Sequence, residues 1–270
     1  MKLLAWDTSS KTASLVAIEW GEDPKITLGA HEPFRLVAEL TLNVDLNHSE
    51  RLLWGVHQVL ESARWKLHQV DYWGVGVGPG SFTGLRIGVT TARTLGHFLK
   101  KPVVSFSSLS ALARPVALHA SGGSSSPVLI VAATDACKGE LFALWGSAPE
   151  ILQGSYSEEV LPPSLLVGRL KKKLSALGRN SKWMVVGEAR TRYSEVWEEL
   201  PESKRLLDRS FFSDQIQGRY AGLLSFEAVQ AGRLLEGLQV SPVYLRASDA
   251  EVKLKAGLLK PAPIGNLSEV

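Results

Sequence analysis

A chain of 270 residues, 45% hydrophobic and 21% charged, is long and apolar enough to fold as one large globular domain or two smaller ones. Its single cysteine, Cys137, excludes a disulfide framework and a cysteine-based zinc site. The net charge of +3 permits contact with nucleic acid without requiring it. The opening MKLLAWDTSS has only a short apolar run, interrupted by an aspartate, which fits neither a signal peptide nor a membrane span. We therefore expect a soluble, cytoplasmic protein without membrane contact.

The first half of the chain predicts strands alternating with helices. Residues 2–20 predict a hairpin of two apolar strands around the polar turn 7–12. An amphipathic helix is expected over 49–63, then a strand in YWGVGVG, a glycine loop, a helix that ends near residue 100 and a strand in PVVSF. This order is typical of a mixed α/β protein.

The second half begins with a similar unit. Residues 128–145 predict another hairpin, in which Asp135 follows the first strand as Asp7 does in the first hairpin. Helices are expected over 163–178 and 218–236, a strand over 183–187, and the segment SPVYLR follows. The stretch SGGSSSP at 121–127 is typical of a flexible boundary between two halves, and the pattern fades after about residue 256.

The glycine loop GVGVGPGSFTGLRIG, residues 74–88, does not fit either common phosphate motif. A P-loop needs Lys and then Ser or Thr after its last glycine, whereas Gly84 is followed by Leu85 and Arg86. The spacing of Gly78, Gly80 and Gly84 also differs from the dinucleotide fingerprint. Ser81 is expected to cap the following helix, and it is not expected to be a nucleophile.

Small residues continue into that helix at four-residue spacing. Gly84, Gly88, Ala92 and Gly96 share one face, and Arg86 lies on the opposite face. Such a stripe allows another backbone to approach closely. The approaching chain is either the protein's own sheet or a partner, and the sequence leaves both open.

The helix over 49–63 carries an aromatic side chain opposite its apolar face. Leu52 lies on the apolar face, and Trp54 falls on the far side, with Trp65 beside it if the helix continues. An exposed tryptophan suggests a protein partner, although a stray surface aromatic explains it equally well.

Two aspartates are the best candidates for chemistry. Asp7 and Asp135 follow strands at hairpin turns, where carboxylates could orient hydrated magnesium beside a nucleotide, although turn formation explains them as well. The six histidines show no metal-binding spacing, so no metal site is expected. The basic run at 169–173 is interpreted as a solvated helix face.

Seven segments resemble the TsaB family in order and spacing: LLAWDTSS, HSERLL, GPGSFTGLRIG, PVVSFSSLSAL, DACKGELF, VVGE and PVYLR. The resemblance spans about residues 2–255. It implies the duplicated actin-like ATPase (ASKHA) fold, an α/β protein with two lobes, each built on a mixed sheet with flanking helices. We expect an N-terminal lobe over 1–110, a C-terminal lobe over 111–255 whose helix 218–236 packs back between the lobes, and a poorly ordered tail over 256–270.

The resemblance also implies a function without catalysis of its own. Members of the TsaB family are partner subunits of TsaD, which makes threonylcarbamoyladenosine at position 37 of transfer RNAs. TsaD enzymes resemble this chain around the glycine loop but continue into an N-H-x-x-x-H metal motif, where this chain has SSLSAL at 107–112. Hydroxyl and aliphatic side chains cannot replace imidazole ligands, so the transfer chemistry is expected to be absent.

The implied partners are TsaD in a heterodimer, TsaE through TsaD, a second copy when the chain is alone, and transfer RNA only indirectly. The implied interface is formed by the two helices of the first half, with these candidate residues: Leu52, Trp54, Gly84, Arg86, Gly88, Ala92 and Gly96.

For a nucleotide the weak candidates are Asp7, Thr8, Ser9 and Asp135, and the turn that carries the first three lacks the glycine that lets phosphates approach the backbone. No tightly bound cofactor is expected, and ATP or ADP would bind weakly or only at the shared interface. Two alternatives stay open: an actin-like kinase or ATPase that uses Asp7 and Asp135 with magnesium and ATP, and a metalloprotease.

Overall fold

A computed structural model describes residues 1–21, 33–43, 48–123, 126–206 and 214–246. The predicted tail over 256–270 lies outside the described residues. None of the helices within these ranges combines the length and apolar composition that a bilayer crossing requires.

The first lobe is built on a five-stranded sheet. Its strands are β1 (Lys2–Asp7), β2 (Thr12–Glu19), β3 (Arg35–Asn43), β4 (Tyr72–Gly76) and β5 (Val103–Phe106), in the order β3-β2-β1-β4-β5. Strands β1, β2 and β3 pair antiparallel, and β4 and β5 continue parallel to β1. The predicted hairpin, and the strands in YWGVGVG and PVVSF, are therefore confirmed, whereas β3 was not predicted.

The second lobe repeats this arrangement. Strands β6 (Val128–Asp135), β7 (Leu141–Ser147), β8 (Ser157–Leu161) and β9 (Lys182–Val186) lie in the order β8-β7-β6-β9. Here too the hairpin is antiparallel, and β9 adds parallel to its first strand. Where the first sheet has its fifth strand, an isolated bridge pairs Trp183 with Arg205. Two mixed sheets of the same topology form the expected duplicated actin-like fold.

Helices connect and cover the sheets. They are α1 (His48–Ala63), α2 (Phe82–Leu99), α3 (Ser108–Gly123), α4 (Ala148–Gln153), α5 (Pro163–Leu177), α6 (Ala189–Arg192), α7 (Ser194–Trp197) and α8 (Gly218–Gln230). Short 3-10 turns occur at Leu67–Gln69, Glu202–Lys204 and Gly237–Gln239.

Helices α1 and α2 lie side by side on one face of the first sheet. They share a core with β1, β2 and β4 that includes Leu4, Trp6, Leu15, Leu52 and Val89. Both helices lead into a strand parallel to β1, so they run in the same direction across the sheet. Their outer faces are therefore presented together, on one side of the molecule.

The opposite face of the first sheet is covered by α8. Phe226 and Ala228 pack there against Leu3, Val16 and other inward side chains of the sheet. Helix α8 also contacts α3, whose Leu109 and Leu112 pack with the second sheet. Residues 231–246 then cross the first lobe, since Leu235 bridges to Val103 and Gly237 lies against α2.

Helix 218–236 was expected to pack back between the lobes, and α8 packs on the first sheet and contacts α3. Residues 218–246 largely cover the first lobe, because both faces of its sheet are apolar and need a covering layer. The expected flexible boundary at 121–127 is partly wrong, since α3 continues through residues 121–123.

Candidate partner surface and nucleotide site

The glycine loop before α2 packs against the turn that follows β1. Ser81 caps α2 as predicted, because its hydroxyl accepts a hydrogen bond from the Gly84 amide at 3.3 Å. The Ser81 amide donates to the Ser9 carbonyl at 2.6 Å. The loop is therefore occupied by the chain's own backbone at the place where a phosphate loop would receive its ligand.

The small-residue stripe of α2 faces inward. Cβ atoms added at Gly84 and Gly88 would collide with the carbonyl oxygen and the hydroxyl of Thr8, respectively. One at Gly96 would collide with Val103, and Ala92 is fully buried. The stripe thus lets α2 sit close to its own lobe, so the expectation that these four residues face a partner is corrected.

Asp7 is enclosed by hydroxyl groups from both lobes. One carboxylate oxygen accepts hydrogen bonds from the Ser9 amide at 2.8 Å and the Ser9 hydroxyl at 2.6 Å. The other accepts from the hydroxyl of Ser108, at the start of α3, at 2.6 Å. With 1% of its surface exposed, Asp7 links the β1 turn to α3 and is directed away from solvent.

Thr8 and Ser9 are also engaged within the chain. The Thr8 hydroxyl donates to the Gly84 carbonyl at 2.7 Å, and Thr8 is fully buried. A Cβ at Gly80 would collide with the Ser9 carbonyl oxygen, so the glycine loop covers this turn closely. A nucleotide could reach Asp7, Thr8 and Ser9 only if the loop moved away.

Asp135 occupies the equivalent position in the second lobe and has different partners. Its carboxylate accepts from the Tyr193 hydroxyl at 2.7 Å and the Cys137 amide at 3.0 Å, and it pairs with Arg192 at 2.8 Å. The hydrogen bond to Asp135 raises the pKa of Tyr193, because it holds the phenolic proton in place. These contacts anchor the hairpin turn, which was the alternative role considered for this aspartate.

Helix α1 turns its apolar face to the sheet and exposes large apolar side chains on the outside. Leu52 is fully buried, so it belongs to the inner face and cannot contribute directly to a partner contact. Leu53 and Trp54 are 58% and 52% exposed, as expected for the tryptophan. Trp65 does not join them, because the chain leaves the helix at Arg64 with a positive φ and buries Trp65.

The outer face of α2 continues this surface. Arg86 is exposed, and Phe98 in the last turn is 81% exposed, a large value for an aromatic side chain. The exposed positions of both helices form what we call the two-helix surface: Arg51, Leu53, Trp54, His57, Glu61 and Ser62 of α1, and Thr83, Arg86, Thr90, Thr94, His97 and Phe98 of α2.

Several exposed residues of α1, α2 and residues 231–246 were not predicted. Seven of the eleven strongly exposed large apolar side chains among the described residues lie on α1, α2 or residues 231–246, namely Leu53, Trp54, Phe98, Leu234, Leu238, Val243 and Tyr244. Tyr244 packs on Phe82 of α2 with ring centroids 4.9 Å apart. The segment PVYLR was the only sequence signal for this contact, and it did not show that Tyr244 packs on α2.

Ionisable groups also cluster between α3, β8 and α8. The buried Arg114 of α3 pairs with Glu227 of α8, and burial raises the pKa of Glu227 although Arg114 opposes this effect. Ser107 donates to Glu158 of β8 at 2.8 Å, yet burial still raises the pKa of Glu158. These contacts join α3 to β8 and α8.

Known proteins with the same overall length and fold are similar to this chain. The protein named tRNA threonylcarbamoyladenosine biosynthesis protein TsaB of Escherichia coli (strain K12) is 26% identical over 258 residues, covering 94% of this chain and 98% of its own. The same-named protein of Haemophilus influenzae is 27% identical and covers 91% and 94%. A Pseudomonas aeruginosa crystal structure, described as an uncharacterized protein with similarity to peptidase YEAZ, is 28% identical, with a TM-score of 0.69 over 91% of this chain and 99% of its own. Over most of its length the chain is therefore similar to TsaB and YeaZ proteins.

Part of the chain also matches a family model. The family model described as TsaD, tRNA N6-adenosine threonylcarbamoyltransferase, matches residues 39–168, just under half of the chain. At the position where the metal motif was expected in TsaD, the hydroxyls of Ser107 and Ser108 bond to Glu158 and Asp7. In the described ranges, no group of three or more His, Cys, Asp or Glu side chains could hold a metal ion.

Proposed function

We propose that this chain is a noncatalytic partner subunit that docks through its two-helix surface onto a TsaD-type protein and thereby supports threonylcarbamoyladenosine formation in transfer RNA. One observation carries the proposal. Leu53, Trp54 and Phe98 are large, apolar and exposed on neighbouring helices whose inner faces already pack on the sheet. Exposed apolar groups of this kind mark protein contacts, and aromatic residues are frequent among binding hot spots.

The proposed lack of catalysis is supported by how the candidate carboxylates are held. Asp7 is buried under the glycine loop, and Asp135 is bonded to Tyr193 and Arg192. A magnesium-binding carboxylate would need oxygen lone pairs directed at a ligand, and these are used within the chain.

The proposal that this chain contacts transfer RNA only indirectly is supported by the ion pairs of the basic run on α5. Arg169, Lys171 and Lys173 pair with glutamates Glu159, Glu199 and Glu150, respectively. Cations already paired with carboxylates gain less from phosphate, because the existing pair must first be broken.

The test measures complex formation with a TsaD-type protein from the same organism. Light scattering and calorimetry should show a 1:1 complex, and Trp54→Ala should weaken it by at least about tenfold, as expected for an aromatic hot spot. Leu165→Ala is the matched control, because Leu165 is 49% exposed on α5 of the other lobe and should leave the affinity unchanged.

Two results would count against the proposal. If the two proteins remain separate species at micromolar concentration, the proposed partner is wrong. If both variants weaken binding equally, the proposed role of the two-helix surface is wrong.

The chain alone should form a homodimer through the same surface, which Trp54→Ala should dissociate. Calorimetry with ATP and magnesium tests the kinase or ATPase alternative, which would be favoured by tight binding that Asp135→Asn abolishes.

A further inference from the structure

A compact cluster of two aromatic rings and one guanidinium lies at the start of α2. The Arg86 guanidinium carbon is 3.9 Å from the ring centroid of Phe82, one helical turn earlier. Its Nε donates a hydrogen bond to the Tyr244 hydroxyl at 3.2 Å, and the Tyr244 ring packs on Phe82. Arg86 thus contacts both a residue of its own helix and one that follows it by 158 positions.

The segment that carries Tyr244 is itself fixed to both lobes. The Val243 amide donates to the Val77 carbonyl at 2.8 Å in the glycine loop. Two residues beyond Tyr244, the Arg246 guanidinium donates to the Ala136 carbonyl in the hairpin of the second lobe. The position of Tyr244, and therefore of the Arg86 guanidinium, is set by the fold.

The charge of Arg86 has no counterpart in the described part of the chain. Some exposed arginines there do have one: Arg35 pairs with Glu19, and Arg192 pairs with Asp135. No described carboxylate pairs with Arg86, and only its Nε has an acceptor, Tyr244, within the described residues. The two terminal nitrogens of this exposed side chain are therefore available as a planar fork of donors.

We infer that Arg86 is a preorganised anchor that receives a carboxylate of the TsaD-type partner, so that the docking surface extends from the two helices onto residues 240–246. This inference rests on the proposed function. A guanidinium already stacked on an aromatic ring loses little rotational freedom when it binds, and its fork matches both oxygens of a carboxylate.

The surroundings favour a protein carboxylate over an RNA phosphate. The segment that supplies Tyr244 also exposes Val243 and Leu238, at 46% and 54%. Apolar neighbours with Arg and Tyr are typical of the centre of protein interfaces, whereas nucleic-acid interfaces are polar and strongly basic.

The test measures the dissociation constant of the complex between the full chain and a TsaD-type protein. Arg86→Ala should weaken binding by about 30-fold, as for a hot-spot residue, and flatten its dependence on salt. Arg86→Lys keeps the charge but loses the fork, so about a tenfold loss is expected. Tyr244→Phe keeps the ring and removes the hydrogen bond, which should weaken binding by only a few-fold.

A matched control is Arg179→Ala, since Arg179 is an exposed arginine of the second lobe and its removal should leave the affinity unchanged. If the unmodified chain does not bind, the proposed function fails. If it binds and Arg86→Ala binds within about twofold of it, the anchor is wrong while the proposed function stands. Weaker binding of Arg86→Ala to transfer RNA alone, with partner affinity unchanged, would also overturn the carboxylate assignment. A melting temperature of Arg86→Lys equal to that of the unmodified chain guards against a folding defect.

Discussion

Replacing Gly84 by alanine tests the close approach of α2 to the turn after β1. An added Cβ would lie 2.0 Å from the Thr8 carbonyl oxygen, so helix and turn would have to separate by about 1 Å to reach the 3.0 Å that real Cβ atoms keep. Overpacking of this kind costs about 1–3 kcal/mol. The hydrogen bond from Thr8 to the Gly84 carbonyl, worth about 1 kcal/mol, would be strained as well.

Helix propensity acts in the opposite direction. Alanine is favoured over glycine in a helix by about 1 kcal/mol, so the net loss of unfolding free energy for Gly84→Ala is about 1–3 kcal/mol. Gly168 is the matched control, because it is an exposed glycine inside α5 and a Cβ there would meet no atom within 4 Å. Gly168→Ala should therefore raise the unfolding free energy by about 0.5–1 kcal/mol.

Urea denaturation followed by tryptophan fluorescence measures both variants. The buried Trp6, one of eight tryptophans, donates a hydrogen bond to the Gly88 carbonyl at 3.1 Å, so the fluorescence signal includes a group in contact with α2. The reasoning is refuted if Gly84→Ala is as stable as Gly168→Ala. A variant that keeps its stability but no longer binds a TsaD-type protein would instead place the stripe at the partner interface.

Two further predictions concern the groups between α3, β8 and α8. Because burial raises the pKa of Glu158, ionisation of this carboxyl destabilises the fold as pH rises through its folded-state pKa. Glu158→Gln should therefore raise the melting temperature at pH 8. It should not do so below about pH 4, where the carboxyl is neutral in both the folded and the unfolded state. An equal effect at both pH values would contradict this. Glu227→Ala leaves the charge of the buried Arg114 unpaired and should lower the unfolding free energy by about 1–3 kcal/mol. The double variant with Arg114→Met should recover part of this loss. No recovery would show that the pair does not act as a unit.

Local sequence patterns were sufficient for much of the fold. The structure has three features as predicted: the two hairpins whose first strands end at Asp7 and Asp135, the amphipathic period of α1, and the capping of α2 by Ser81. Each of these features depends on residues that are near neighbours in the sequence. Strand β3 and helix α3 were not predicted. Each is held by contacts that are distant in sequence: β3 by pairing with β2, and α3 by packing on the second sheet.

The candidate site shows the same division more sharply. The sequence placed Gly84 and Gly88 on one face of a helix and Trp54 on the outside of another, because the period of a helix fixes which residues share a face. Contacts that are distant in sequence decide which face of α2 meets the sheet. Thr8, about eighty residues away in the chain, bonds to the inner face of α2, and residues 231–246 bring Tyr244 onto Phe82 and Arg86. The helical period relates residues only to their own helix axis, and long-range packing alone determines what stands opposite them.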